Sequence, residues 1–313
     1  MTAAAAGAAA PLSPALGGSI VAGEGPIPRR PLGGTGERLS FIGFGGIVVS
    51  GVDKEFAAGI VREAYEGGIN YFDVAPTYGN AEEMLGPALE PFRKDCFLAC
   101  KTTQRKAADA RKELERSLKL LKTDHFDLYQ LHALTSDEDI ETAFGPGGAM
   151  EVFLKAKRDG LVRFLGFSAH SVEAALAAME RYDFDTVLFP LNYVTWHAGN
   201  FGSQVVSAAS ERGMGILALK AMARSPWPED MKRSDRSHPK CWYEPLADPE
   251  EAMLGLRFTL SQPVTAALPP GDPDLFRLAM KLAPSFLPLS PGDKERIEQK
   301  AAAAKPIFSY PRA

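Results

Sequence analysis

Four side chains in this sequence carry the groups that a proton-transfer reaction needs, and their surroundings place them at successive strand ends. Asp73 follows Tyr71-Phe72, Tyr78 stands in the loop just after that strand, Lys101 closes the apolar run Cys96-Phe97-Leu98-Ala99-Cys100, and His132 ends the strand pattern that begins at Phe126. One polar residue at a strand terminus is common; four at one rim are not. An amine held against an apolar strand needs a counter-charge, and Asp73 on the neighbouring strand is the natural partner. An ammonium beside a phenol favours the phenolate, which predicts a Tyr78 pKa drawn down from its usual value of about 10. Tyr78 is thereby the candidate general acid, with a neutral His132 holding a carbonyl oxygen toward it. The set suits delivery of a proton to an oxygen that gains negative charge. It contains no reductant and no obvious nucleophile, so carbonyl reduction at this rim requires a redox cofactor.

The frame that must position these residues is a repeat of strand and helix patterns. Leu39 to Gly46, Tyr71 to Ala75, Cys96 to Thr102, Phe126 to Ala133, Phe164 to Ala169, Thr186 to Asn192, Ile216 to Ala221 and Thr265 to Leu268 have strand character. Between and after them, Lys54 to Tyr65, Ala81 to Leu89 and Ala107 to Leu121 read as helices, as do stretches near 149–158, 172–181, 203–212, 249–260 and 274–282. In the third of these, Leu114, Leu118 and Leu121 line one side at a period of 3.6. Such alternation over about 250 residues predicts a (β/α)8 TIM barrel. A doubly wound sheet would show a glycine-rich phosphate turn after its first strand, and Gly43-Phe44-Gly45-Gly46-Ile47-Val48 is not one. Arg30 to Ser40 reads as an N-terminal β-hairpin that could plug the barrel floor. The chain divides into a disordered Ala/Pro/Gly-rich tail at 1–27, a barrel at 28–289 and a C-terminal segment at 290–313 packed on its outside. Two long loops, 134–148 and 222–247, leave strand C-termini, where barrel active sites lie.

Bulk properties narrow the partners. The 313 residues are 45% hydrophobic and 24% charged with a formal net charge of -4, which fits a globular chain and argues against nucleic acid or an anionic membrane as the main partner. A small-molecule carbonyl or alcohol is the better default. Cys96, Cys100 and Cys241 form no CxxC pair, and His170, His197 and His238 no HxxH or HxH pair, so neither a disulfide framework nor a metal site is predicted. The N-terminal stretch lacks the charged start and unbroken apolar run of a signal peptide, which points to the cytoplasm.

The sequence resembles the aldo-keto reductase superfamily. The resemblance is carried by Arg30-Pro31-Leu32-Gly33-Gly34-Thr35-Gly36, by Gly68-Ile69-Asn70-Tyr71-Phe72-Asp73-Val74-Ala75-Pro76-Thr77-Tyr78-Gly79, by Lys101-Thr102, by Asp127-Leu128-Tyr129-Gln130-Leu131-His132 and by Gly166-Phe167-Ser168. It implies that Asp73, Tyr78, Lys101 and His132 form the family's catalytic tetrad and that a nicotinamide cofactor lies extended across the mouth. It further implies cofactor contacts from Gly46, Ser168, Asn192, Lys220, Pro269, Asp272 and Arg277. Here Ser168-Ala169-His170 departs from the family's Ser-Asn, and no glutamine ends the sixth strand. Asn192 either takes the carboxamide-binding role or simply ends a buried strand. Lys220 either reaches the pyrophosphate or is a surface lysine. Trp196 and Trp227, in rim loops, are candidate substrate platforms or packing residues, as is Trp242. Family habit puts NADP first, yet Asp272 and Asp274 stand where a phosphate-binding cation is usual, so NAD stays open, with Arg277 as the nearest alternative cation. Two other functions share these residues: redox-neutral sugar chemistry with a retained nicotinamide, and a nucleotide-sensing regulatory subunit with little turnover.

Overall fold

The computed structural model describes residues 25–311; the predicted tail lies outside the described residues up to position 24. The described chain opens on an antiparallel hairpin of β1 (Arg29–Pro31) and β2 (Arg38–Ser40). Strand and helix then alternate through β3 (Phe44–Gly45), α1 (Lys54–Glu66), β4 (Tyr71–Asp73), α2 (Ala81–Leu89), β5 (Phe97–Thr102), α3 (Ala107–Leu120), β6 (Phe126–Leu134), α4 (Asp137–Phe144) and α5 (Ala149–Arg158). The series continues with β7 (Val162–Ala169), α6 (Val172–Arg181), β8 (Thr186–Pro190), α7 (Tyr193–His197), α8 (Ser203–Glu211) and β9 (Gly215–Leu219). A second antiparallel pair, β10 (Ala223–Pro226) and β11 (Tyr243–Pro245), precedes α9 (Pro249–Leu260), β12 (Ala266–Leu268), α10 (Pro273–Leu282) and α11 (Pro291–Ala302).

Strands β3 to β9 and β12 pair in parallel in that order. The ring closes where the Ala267 amide donates to the Phe41 carbonyl at 2.8 Å and the Gly43 amide to the Ala267 carbonyl at 3.0 Å. This is the (β/α)8 barrel with an N-terminal hairpin that the alternation predicts. Side chains obey the period of two. Tyr71, Ala99, Leu128, Leu188, Leu217 and Ala266 fill the interior, while Phe72, Leu98, Tyr129, Val187, Ile216 and Ala267 face the helical layer. Leu32 and Leu39 of the hairpin join the interior set, so the hairpin does plug the floor. Each buried leucine of this set contributes about 1.5–3 kcal/mol. Gly33 makes the plug possible: its φ is 50°, and a Cβ there would lie 2.3 Å from the Gly215 amide nitrogen.

Helices start where the sequence supplies caps. Asp53 accepts from the Phe56 amide at 2.8 Å to open α1, whose Ala57, Ile60, Val61 and Ala64 face the sheet. Two expectations need correction. The acidic 134–148 stretch is not all loop, because Ser136 caps α4 and the acids of its first turn suit the positive end of a helix dipole. The sixth strand stops at Pro190, because the Asn192 side chain accepts from the Thr195 amide at 2.9 Å and starts α7. Helix α11 packs on α7 and α9 and buries Ile297 and Ala301.

Candidate active site

Asp73 and Lys101 form an ion pair at the C-terminal ends of adjacent strands, both essentially sealed from water. The parallel register aligns Asp73 with Ala99 on β5, so Lys101, two residues on, projects from the same face one step nearer the mouth. The Lys101 ammonium also donates to the Val74 carbonyl at 3.2 Å. The second Asp73 oxygen accepts from the Tyr71 hydroxyl at 3.2 Å and from the Gln130 amide at 3.1 Å. Tyr71 and Gln130 are site residues that the motif pattern alone does not single out. The available signal was their spacing, two residues before Asp73 and His132 on the same strand faces.

Tyr78 lies above this pair, with the Lys101 ammonium 5.3 Å from its ring centre. The His132 ring stands edge-on to it at 5.7 Å. Burial raises the Tyr78 pKa above its ordinary value; Lys101 opposes that shift without reversing it, and Asp73 adds to it. This corrects the expected lowering: at neutral pH the group is a phenol that holds its proton. Burial pulls the Lys101 pKa down, but Asp73 and Tyr78 more than restore it, so the ammonium persists. His132 is pushed down to about 3, by burial first and then by Lys101, and is a neutral imidazole. Its Nδ1 is buried without a partner, which leaves Nε2 as the ring atom available to a ligand.

These residues open into a trough of about 220 Å³, lined also by Gly45, Ile47, Ser168, His170, Lys220, Trp242, Tyr243, Leu268, Pro269 and Gly271. Ser168 accepts from the Ala133 amide at 2.8 Å, which braces the left-handed turn at Ala133 beside His132. Lys220 itself has φ 67°. Its ammonium faces the rings of Trp242 and Tyr243 at 5.5 and 5.2 Å and has no acidic partner among the described residues. Burial lowers its pKa to about 8. His170, lowered to about 4 by burial and then by Lys220, packs against Phe308 of the C-terminal segment.

Several predicted site residues stand apart from the trough. Gly46 is packed against Val74, where a Cβ would come within 2.7 Å. Asn192 is spent on capping α7, with a buried Nδ2 that has no acceptor. Trp196 packs edge-on against Phe258 at 5.8 Å, and Trp227 donates to the Cys241 carbonyl at 2.9 Å. Trp242, half exposed between Lys220 and Phe308, is the tryptophan that the trough does present. Asp272 caps α10, and Arg277 is paired with Glu63. A larger opening, about 640 Å³, lies at the opposite end of the barrel, but most of its charges are engaged with one another: Arg93 and Arg163 with Asp127, Lys122 with Glu90. Among the described residues no group of His, Cys, Asp and Glu is placed to hold a metal ion, and no helix is long and apolar enough to cross a membrane.

Residues 41–262 match the aldo/keto reductase family. Over 220 residues, 63% of this chain and 66% of the relative, the sequence is 30% identical to L-galactose dehydrogenase of Arabidopsis thaliana. Over 155 residues it is 34% identical to the uncharacterized oxidoreductase YqkF of Bacillus subtilis, covering 45% of this chain and 48% of that one. The matched stretches thus span about half to two thirds of these relatives. A solved putative aldo-keto reductase from Pseudomonas aeruginosa superposes with a TM-score of 0.64 at 27% identity, over 82% of this chain and 94% of the other.

Proposed function

The chain belongs to the aldo/keto reductase family, and from that premise we propose that it is an NAD(P)H-dependent oxidoreductase interconverting a small aldehyde or ketone with its alcohol. The observation that carries the reading is the sealed Asp73–Lys101 pair beneath a protonated Tyr78 and beside a neutral His132. The trough fits a dinucleotide in one further respect. Lys220 offers a desolvated ammonium with no acidic partner among the described residues, the group an anionic pyrophosphate needs. Ser168 and Pro269, which line the trough, would hold the cofactor. A bound reduced nicotinamide supplies the hydride.

The chain's own residues do the rest. The substrate oxygen accepts hydrogen bonds from the Tyr78 hydroxyl and His132 Nε2, which orient the carbonyl in a site sheltered from water. As that oxygen gains charge, Tyr78 transfers its proton, and the phenolate left behind is held by the Lys101 ammonium. Asp73 keeps Lys101 charged and aimed, and Tyr71 and Gln130 hold Asp73. Oxidation of an alcohol runs the same path in reverse. Three free, buried cysteines fit a reducing cytoplasmic setting.

The name of the galactose-oxidising relative puts hydroxylated aldehydes and sugar alcohols first in a substrate screen. The test is the absorbance of the reduced cofactor during incubation with a panel of carbonyls and alcohols. Steady consumption or formation supports the reading. Substrate conversion without net cofactor change would point instead to redox-neutral chemistry, and tight binding without turnover to a sensing subunit.

A further inference from the structure

We propose that Arg105 is a positioning residue for His132, acting through the backbone of the turn that carries the ring; the inference rests on the oxidoreductase reading above. A functional imidazole is ordinarily oriented by a hydrogen bond at its second ring nitrogen. Here His132 Nδ1 is buried and has no such partner among the described residues. What aims the ring is therefore the main chain it stands on, together with its edge-on contact with Tyr78.

That main chain has an uncommon shape. Ala133 has φ 56°, a left-handed conformation rare for a residue with a side chain. It falls where the register of β6 against β7 shifts, between Leu131 and Leu134. Such a conformation persists only where its surroundings hold it, and two side chains do so from the neighbouring strands. Ser168 on β7 accepts from the Ala133 amide at 2.8 Å. Arg105, in the connection from β5 to α3, donates through Nη2 to the His132 carbonyl at 2.7 Å and to the Ala133 carbonyl at 3.3 Å.

Arg105 is itself anchored. Its Nε donates to Asp139 Oδ1 at 2.8 Å in the first turn of α4, and Asp139 Oδ2 accepts from the Thr135 amide and hydroxyl at 3.0 and 3.1 Å. Its carbonyl accepts from the Ala149 amide at the start of α5, also at 2.8 Å. A guanidinium suits this place because its planar fork of donors spans two carbonyls and a carboxylate at once. Its charge acts in the same sense. Burial first, then Lys101, His170 and Arg105, lower the His132 pKa to about 3, so a cation behind the turn helps to keep the ring neutral. Arg105 is not among the residues that line the trough, so its influence on the substrate oxygen passes through His132.

Single-turnover rates of Arg105→Met, His132→Ala and the double variant test this, with cofactor affinity and thermal unfolding measured beside them and rates taken where every variant is folded. Arg105→Met is expected to lose about ten- to hundredfold in rate, since a displacement of about 1 Å at a reacting group has effects of that order, while cofactor affinity stays within about twofold. In the His132→Ala background the same substitution should cost less than about twofold, because the ring that it positions is gone. Arg105→Lys keeps the charge but not the fork and should fall between the wild type and Arg105→Met; it takes the place of the methionine variant in the cycle should that one not fold. An equal loss from the Arg105 substitution with and without His132 overturns the inference and leaves the oxidoreductase reading intact, as does a rate within about twofold of the wild type. A wild type that turns over no carbonyl or alcohol overturns both.

Discussion

The two ends of this barrel are both lined by charge, and the difference between them separates structure from chemistry. At the floor, Asp127 accepts from the Leu98 amide at 2.8 Å and from Arg163 at 2.7 Å, with Arg93 at 3.0 Å. Arg93 goes on to the carbonyls of Cys96 and His125, both at 2.9 Å. The two arginines and Asp127 there are answered by one another and by the backbone. At the mouth the answers are incomplete: among the described residues Lys220 faces the rings of Trp242 and Tyr243 and no carboxylate. The smaller opening is therefore the one with chemistry left to do. Burial of unspent polar groups is costly, and a site retains them where a ligand completes them.

Removing one partner from each end sharpens the contrast. Lys101→Met at the mouth strips Tyr78 of its phenolate support and leaves Asp73 ionised in a sealed site. Turnover should fall by about 10² to 10⁴-fold, and an unpaired buried charge typically costs about 3–5 kcal/mol of stability. Rate assays and denaturant titration read the two effects separately, and near-normal turnover would remove Lys101 from the mechanism. Asp127→Ala at the floor should cost about 3 kcal/mol of stability, while KM and kcat at a temperature where the variant is folded stay within about twofold of the wild type. A selective loss of activity there would mean that the floor is a functional site after all.

The smallest of these effects is on pH dependence. An amine must be charged to hold an anion, and the Lys220 pKa lies at about 8. Dinucleotide affinity is therefore expected to be full below that value and to weaken, by up to about tenfold per pH unit, as pH rises through it. Lys220→Met should bind more weakly at neutral pH and lose that slope; an unchanged slope would assign it to another group. His132, lowered to about 3, contributes no inflection near neutrality.

Much of the site was legible because the groups that do chemistry sit at strand ends, and a strand end is visible in a linear pattern of apolar runs. Asp73, Lys101 and His132 needed only that pattern and the topology. What depends on register across strands was only partly legible: spacing puts Gln130 on the same strand face as His132, but not against the Asp73 carboxylate that it completes. Signs of competing effects were also hidden. A lysine beside a tyrosine lowers its pKa, but the depth of burial that outweighs it is a property of the packed barrel. The Arg277–Glu63 pair was hidden for a similar reason, since Glu63 is adjacent only in space. Helix α4 was a different miss, because Ser136 and Asp139 carry a capping pattern that the acidic composition obscured.

The central claim is that Tyr78 is the proton donor poised by Lys101 and Asp73. Tyr78→Phe removes one oxygen and leaves the ring, so the decisive measurement is its single-turnover rate beside its cofactor affinity. The account predicts a rate lower by about 10² to 10⁴-fold with affinity within about twofold of the wild type. A variant that keeps more than about half the wild-type rate would contradict it, since a positioned general acid cannot be deleted at so small a cost.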